Sequence, residues 1–254
     1  MEILPLGVGE AFAKTLFQTN YLVTPADGEP FLVDFGYTAP RALAACGIAM
    51  ESVPRVLVSH LHADHIGGLE ELGFTGAFLW ERRARLYVPG NLLPLLWDHC
   101  LSGGMGQRLR QADGSTREVD LDTYFTVESV APGAELQFGS VTVSPFATPH
   151  VPGRPSWGFL LHDRVSGGSV MLSCDSCFDR ENLETYGAAA DAVFHDCQLR
   201  SNGAHIHATL DELLTLPDAW QQKILLVHYA DDWRAFVGST GSMRFARQGE
   251  RYRF

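Results

Sequence analysis

A chain of 254 residues with 46% apolar content is long enough to close one large core, and a single domain is expected. The formal net charge of −11 argues against unspecific binding to nucleic acid or an anionic membrane, because phosphate contacts need a surplus of Lys and Arg. The opening Met1-Glu2-Ile3-Leu4-Pro5 has no basic leader segment and no stretch approaches a membrane span, so a cytoplasmic protein is expected.

From the N-terminus, Met1 to Leu6 and Tyr21 to Val23 read as strands around a glycine-containing turn, and Phe31-Leu32-Val33 as a third strand ending on Asp34. Pro40 to Cys46 has the Ala and Leu content of a short helix. Val56-Leu57-Val58 is a buried strand, a new helix starts over Leu69 to Leu72, and Leu86-Tyr87-Val88 is a strand again. This alternation predicts an α/β protein. Asn91 to Cys100 reads as a helix with one apolar face, and about 101–120, opened by Gly103, Gly104 and Gly106, as a mobile loop that serves as a lid, a dimer contact or plain surface. Beyond Thr123 the pattern is β: Tyr124 to Val130, Glu135 to Phe138 and Val141 to Phe146, the last two joined by Gly139-Ser140, then Gly158 to Leu161 and Val170 to Leu172. The five cysteines, Cys46, Cys100, Cys174, Cys177 and Cys197, are odd in number and irregularly spaced, which reads as buried thiols and not as a disulfide framework or, from one CxxC, a zinc ribbon.

The densest chemistry is Ser59-His60-Leu61-His62-Ala63-Asp64-His65-Ile66-Gly67-Gly68, three imidazoles and a carboxylate on the loop leaving a strand. His60 and His62 point to one side of extended chain, and Asp64 and His65 to a second point nearby, which suits two metal ions better than one. Nitrogen and oxygen ligands without a thiolate favour Zn2+, with Mn2+ or Fe2+ acceptable. Gly67-Gly68 supplies a side-chain-free turn into the helix. Later strands repeat the event: Val141 to Phe146 leads to His150, Val170 to Cys174 to Asp175, Ala192-Val193-Phe194 to His195-Asp196, and Ile224 to Val227 to His228. Ligands bind at the carboxyl edge of α/β sheets, so strands that share this placement predict one site. His99 and His162 lack that setting and read as structural or surface residues. Arg82, Arg83 and Arg85 read as a solvated basic face, with phosphate contact the alternative.

His60-x-His62-x-Asp64-His65, followed by His150, Asp175 and His228, resembles the metallo-β-lactamase superfamily over nearly the whole chain. The resemblance implies a four-layer αβ/βα sandwich with a dinuclear centre between the sheets. It implies His60, His62 and His150 on one metal, Asp64, His65 and His228 on the other, Asp175 bridging, and Asp34 supporting the motif from behind. Asp191 to Cys197 resembles the His-Glu-Ala-Thr segment of ribonuclease Z, with Asp196 in place of its Glu, and His207-Ala208-Thr209 resembles that family's His-Ser-Thr segment, which carries the proton donor. His207 is therefore the implied general acid, oriented by Asp196, with His205 as the alternative. Thr209 and Asp211 would also serve as helix caps there. Only positions 151 to 174 separate His150 from Asp175, too few for the tRNA-gripping arm of many ribonuclease Z proteins.

A compact ribonuclease Z-like phosphodiesterase without that arm looks like the phage and bacterial anti-Pycsar enzymes, an affinity prompted also by His60 to Leu72 and Leu96-Trp97 to Met105. That resemblance implies hydrolysis of cyclic nucleotides to linear monophosphates, and a homodimer. The competing expectations are a ribonuclease Z-like RNA endonuclease, a lactonase, thioesterase or other acyl hydrolase on the same scaffold, and a non-enzymatic metal-binding protein.

Overall fold

Short β-branched and aromatic runs pair into two seven-stranded sheets in the computed structural model, which describes residues 1–201 and 203–254. The strands are β1 (Glu2–Gly7), β2 (Asn20–Thr24), β3 (Phe31–Val33), β4 (Arg55–Leu57), β5 (Ala84–Pro89), β6 (Arg108–Arg110), β7 (Thr116–Glu118) and β8 (Phe125–Val130), then β9 (Leu136–Phe138), β10 (Val141–Ala147), β11 (Trp157–Asp163), β12 (Ser169–Leu172), β13 (Ala192–Asp196), β14 (Ile224–Val227), β15 (Arg244–Phe245) and β16 (Tyr252–Arg253). One sheet has the order β16-β1-β2-β3-β4-β5-β8, the other β15-β14-β13-β12-β11-β10-β9, and β6 and β7 form a separate hairpin.

Side chains alternate across each strand, and this assigns the layers. Phe31, Val33 and Leu57 enter a core shared with the second sheet, where Phe31 stacks on Phe138 at 4.0 Å and Tyr21 meets Phe194 edge-on at 5.7 Å. Leu32 and Val56 face a second core, closed by the helices Ala39–Ala45 and Leu69–Phe78 through Leu43, Leu69 and Leu72. Leu183 and the helix Leu210–Leu213 cover the far face of the second sheet. The result is helix, sheet, sheet, helix. Among the described residues no helix is long and apolar enough to cross a membrane.

Strand direction places the site. β3, β4, β5 and β8 are mutually parallel, as are β12, β13, β14 and β15. β10 is antiparallel to β11, which is antiparallel to β12, so β10 runs with β12 and ends at the same edge.

The segment expected to be a loop from 101 onward is different. Helical turns continue from Leu93–Leu95 through a π-helical stretch, Leu96–Leu101, into Ser102–Met105, and the hairpin β6-β7 and a helix at Leu121–Tyr124 follow. Buried Leu101 and Met105 hold these turns against the outer core, and the Tyr124 hydroxyl donates to the Met105 carbonyl at 2.9 Å. Gly104 is exposed beside the Glu70 side chain. Tyr124 accordingly closes a helix capped by Asp120, and the strand begins at Phe125.

Candidate metal centre

β4 delivers Ser59 to His62 as extended chain, and Ala63–Ile66 forms one helical turn carrying Asp64 and His65. Gly67 and Gly68 are needed for close approach, since neither has positive φ but a Cβ on Gly68 would stand 2.6 Å from the Gly36 carbonyl oxygen. β3 ends on Asp34 (φ 65°), the chain after β12 passes through Cys174 (φ 49°) to Asp175, and β14 ends on His228 (φ 56°). Left-handed backbone at a non-glycine residue costs on the order of 1–3 kcal/mol and persists where a site demands it. Three such residues meet at this edge.

The side chains converge as two groups sharing Asp175: His60, His62 and His150 with Asp175, and Asp64, His65 and His228 with Asp175. In the first, His60 Nε2 and His150 Nε2 lie 3.1 and 3.2 Å from His62 Nδ1, and 3.5 and 3.7 Å from Asp175 Oδ2. In the second, Asp64 Oδ2 lies 3.3 Å from both His65 Nε2 and His228 Nε2, while Asp175 Oδ1 is 3.1 Å from His65 and Oδ2 is 3.5 Å from His228. Bonds of about 2.0–2.1 Å around a tetrahedral zinc separate neighbouring ligand atoms by about 3.4 Å. The spacing thus matches two coordination shells with Asp175 between them.

The outer ring nitrogens are held from behind. Asp34 Oδ2 accepts from Ser59 Oγ at 2.6 Å and from His65 Nδ1 at 2.7 Å, and Oδ1 accepts from the Ser59 backbone N–H at 2.7 Å. Because the Ser59 hydroxyl proton goes to Asp34, its oxygen accepts from His60 Nδ1 at 3.0 Å. His150 Nδ1 donates to the Ile206 carbonyl at 2.7 Å, and His228 Nδ1 lies 3.4 Å from Asp196 Oδ1. These contacts put the Nε2 lone pairs of His60, His65, His150 and His228 inward, as metal ligation requires.

His65 Nε2 and Asp175 Oδ1 are buried 3.1 Å from each other without a well-formed hydrogen bond to any described residue, a costly arrangement that a cation resolves. The electrostatics agree. Burial opposes charge on His65 and His228, yet Asp175 with Asp64 and Asp34 raises the first, and Asp175 with Asp196 the second, well above the ordinary imidazole range. Burial and neighbouring His65 hold His60 well below it. Buried carboxylates here draw positive charge onto whatever is available, and the donor set fits divalent cations.

Asp196, at the end of β13, sits behind the ligand His228 and accepts from His207 Nδ1 through Oδ2 at 2.6 Å. The His207 ring stacks on His228 at 4.8 Å and lies 4.9 Å from the His150 ring, and its Nε2 has no hydrogen bond to a described residue. Burial lowers its basicity, but the Asp196 carboxylate outweighs it and the net shift is upward.

Of the two histidines left open by the sequence, His207 is the one placed in the site; His205 is exposed and outside the His/Asp groups among the described residues. His195, expected with Asp196 at the strand end, is buried on the opposite side of β13 by strand alternation and bonds the Asp196 carbonyl. Thr209 caps its helix with Glu212; Asp211 lies in the first turn without that role. Arg82, Arg83 and Arg85 are exposed, Arg83 donating to the Asp122 carbonyl and Arg85 facing Glu128. Of the cysteines only Cys174 and Cys197 are buried, and Cys100 is exposed. His162 is exposed on β11. His99, read as structural or surface, lines a cleft of about 340 Å³ over the His60, His62 and His150 side, together with Leu92, Leu95 and Arg154. The available signal was the helical spacing of Leu92, Leu95 and His99.

The model of the family described as "Anti-Pycsar protein Apyc1" matches residues 1–252. The chain belongs to this family. The anti-Pycsar protein Apyc1 of Paenibacillus harenae is 38% identical over 254 residues, covering 99% of each chain. Among solved structures, the metallo-β-lactamase fold protein YhfI from Bacillus subtilis superposes with a TM-score of 0.73 at 18% identity, covering 99% of this chain and 98% of that one. Human tRNase Z, short form, superposes with a TM-score of 0.70 at 17% identity, covering 100% and 99%. These likenesses establish the metallo-β-lactamase fold, the α/β four-layer arrangement read from the sequence.

Proposed function

We propose that the centre holds two divalent cations, Zn2+ or alternatively Mn2+ or Fe2+, and that the protein is a phosphodiesterase whose substrates are cyclic nucleotides, converted to linear monophosphates. The observation that carries the reading is His207 on Asp196, a proton donor beside a two-cation ligand set. His60, His62 and His150 would hold one cation, Asp64, His65 and His228 the other, and Asp175 both. Bound there, the cations supply Lewis acidity toward the non-bridging phosphate oxygens and lower the pKa of water to about 7.

The remaining work falls to side chains. Asp196 fixes the His207 Nδ1 proton, so a protonated His207 presents Nε2–H to the departing alkoxide. Esters that leave as thiolates or stabilised enolates do not need such a donor, which favours phosphodiesters over acyl esters. The cleft of about 340 Å³ falls in the small-ligand range of roughly 300–1,000 Å³ and favours a nucleotide over a folded RNA. Soluble homodimers in the cytoplasm are part of this proposal.

The test is product analysis after incubating zinc- or manganese-loaded protein with a panel of 3′,5′-cyclic mononucleotides, with Asp175→Ala as blank. Linear monophosphates from the intact protein alone, and a loss of about 10²- to 10⁴-fold in His207→Ala, are expected. Unchanged cyclic nucleotides with both cations bound would sink the reading, and an acyl hydrolase indifferent to His207→Ala would replace it.

A further inference from the structure

The four carboxylates around the centre, Asp34, Asp64, Asp175 and Asp196, match the charge that two divalent cations would bring. An anionic phosphodiester therefore arrives at a centre with no net positive charge, on a chain of net charge −11. Binding calls for another fixed cation at the entrance. Arg154 is the only Lys or Arg among the described residues lining the cleft. It is exposed, and its guanidinium has no hydrogen bond or ion pair with any described residue, so its charge is available at the cleft.

The loop that carries it is fixed. Thr148 N–H donates to the Ser156 carbonyl at 2.9 Å, Ser156 Oγ donates to the Asp175 carbonyl at 3.2 Å, and Trp157 N–H donates to the Ser59 carbonyl at 3.2 Å. Within it, Arg154 N–H donates to the Val151 carbonyl at 2.9 Å past Gly153, whose φ of 74° lets the chain reverse. Arg154 is thus presented four residues after the ligand His150, across the cleft from the exposed Cys100, whose thiol is raised by partial desolvation and lowered in part by the Arg154 charge.

We infer that Arg154 is the substrate-binding residue that receives the negative charge of the phosphodiester at the cleft mouth. The inference rests on the phosphodiesterase reading. Arg154 has donors only, in a fork that suits phosphate oxygens or carbonyl acceptors of a base.

Arg154→Ala and Arg154→Lys test it with two readouts. In steady-state kinetics on bis(p-nitrophenyl) phosphate, Arg154→Ala should raise KM about tenfold or more with kcat within about twofold, and weaken its dependence on salt; Arg154→Lys should recover part of the loss. An unchanged KM would overturn the assignment. The second readout needs no turnover. Inorganic phosphate added to metal-loaded protein should slow iodoacetamide labelling of Cys100, followed by peptide mass spectrometry, in the unaltered protein and not in Arg154→Ala. Equal protection in both would overturn it. A protein that hydrolyses no phosphodiester yet shows Arg154-dependent protection would defeat the functional reading and leave Arg154 as an anion site.

Discussion

Asp34 belongs to neither four-residue ligand group but holds His65 from behind, and its replacement by asparagine should weaken one side of the centre. Asp34 satisfies three donors, the Ser59 backbone N–H at 2.7 Å, Ser59 Oγ at 2.6 Å and His65 Nδ1 at 2.7 Å. A carboxamide has one acceptor oxygen and a donor NH2 in place of the second. With its oxygen toward Ser59 N–H, the NH2 confronts His65 Nδ1–H; flipped, it confronts the Ser59 backbone N–H. The easiest escape is for His65 to move its proton to Nε2, which aims a proton where a lone pair is required. The backbone is not the cause of any loss, because asparagine is among the few residues that tolerate the φ of 65° found here. A buried donor without a partner costs about 1–3 kcal/mol, which converts to roughly 5- to 150-fold in affinity, the range seen when outer-shell partners of metal ligands are removed. Competition with a chelator should show that loss at the cation shared by Asp64, His65 and His228. The His60, His62 and His150 side should change less, since Ser59 still bonds His60. Stoichiometry and affinity at both sites identical to the unaltered protein would refute the reasoning.

Asp196→Asn should shift the alkaline limb of kcat downward in pH. The carboxylate raises the His207 pKa against the pull of burial, so the protonated donor persists to higher pH while Asp196 is present and is lost earlier without it; a pH–rate profile checks the direction. Gly36→Ala should destabilise the fold by about 1–3 kcal/mol or more in urea titration, because the new Cβ would stand 1.8 Å from the Asp64 carbonyl oxygen in backbone that has little room to yield. Removal of divalent cations should lower the thermal midpoint, since buried Asp64, Asp175, His65 and His228 lose the partner that satisfies them, and calorimetry with and without chelator measures it. Sedimentation should give the mass of a dimer; a monomer of 27.9 kDa would remove the homodimer from the proposal.

The legible residues were those whose position follows from strand order. His150, Asp175, Asp196 and His228 each follow an apolar run, and the parallel run of β10, β12, β13 and β14 turns that local pattern into one edge, which β4 meets with His60 from the other sheet. The sequence could place a residue at a strand end but not on a side: His195 and Asp196 are adjacent, and the register of β13 decides that the carboxylate faces His207 and the imidazole does not. The cleft wall was less legible because the helical turns from Leu93 to Met105 reach the site by tertiary packing, and glycines at 103, 104 and 106 mimic a loop in composition. Arg154 is a similar case. In sequence it is one of many arginines, and only its place at the mouth of an acidic centre distinguishes it.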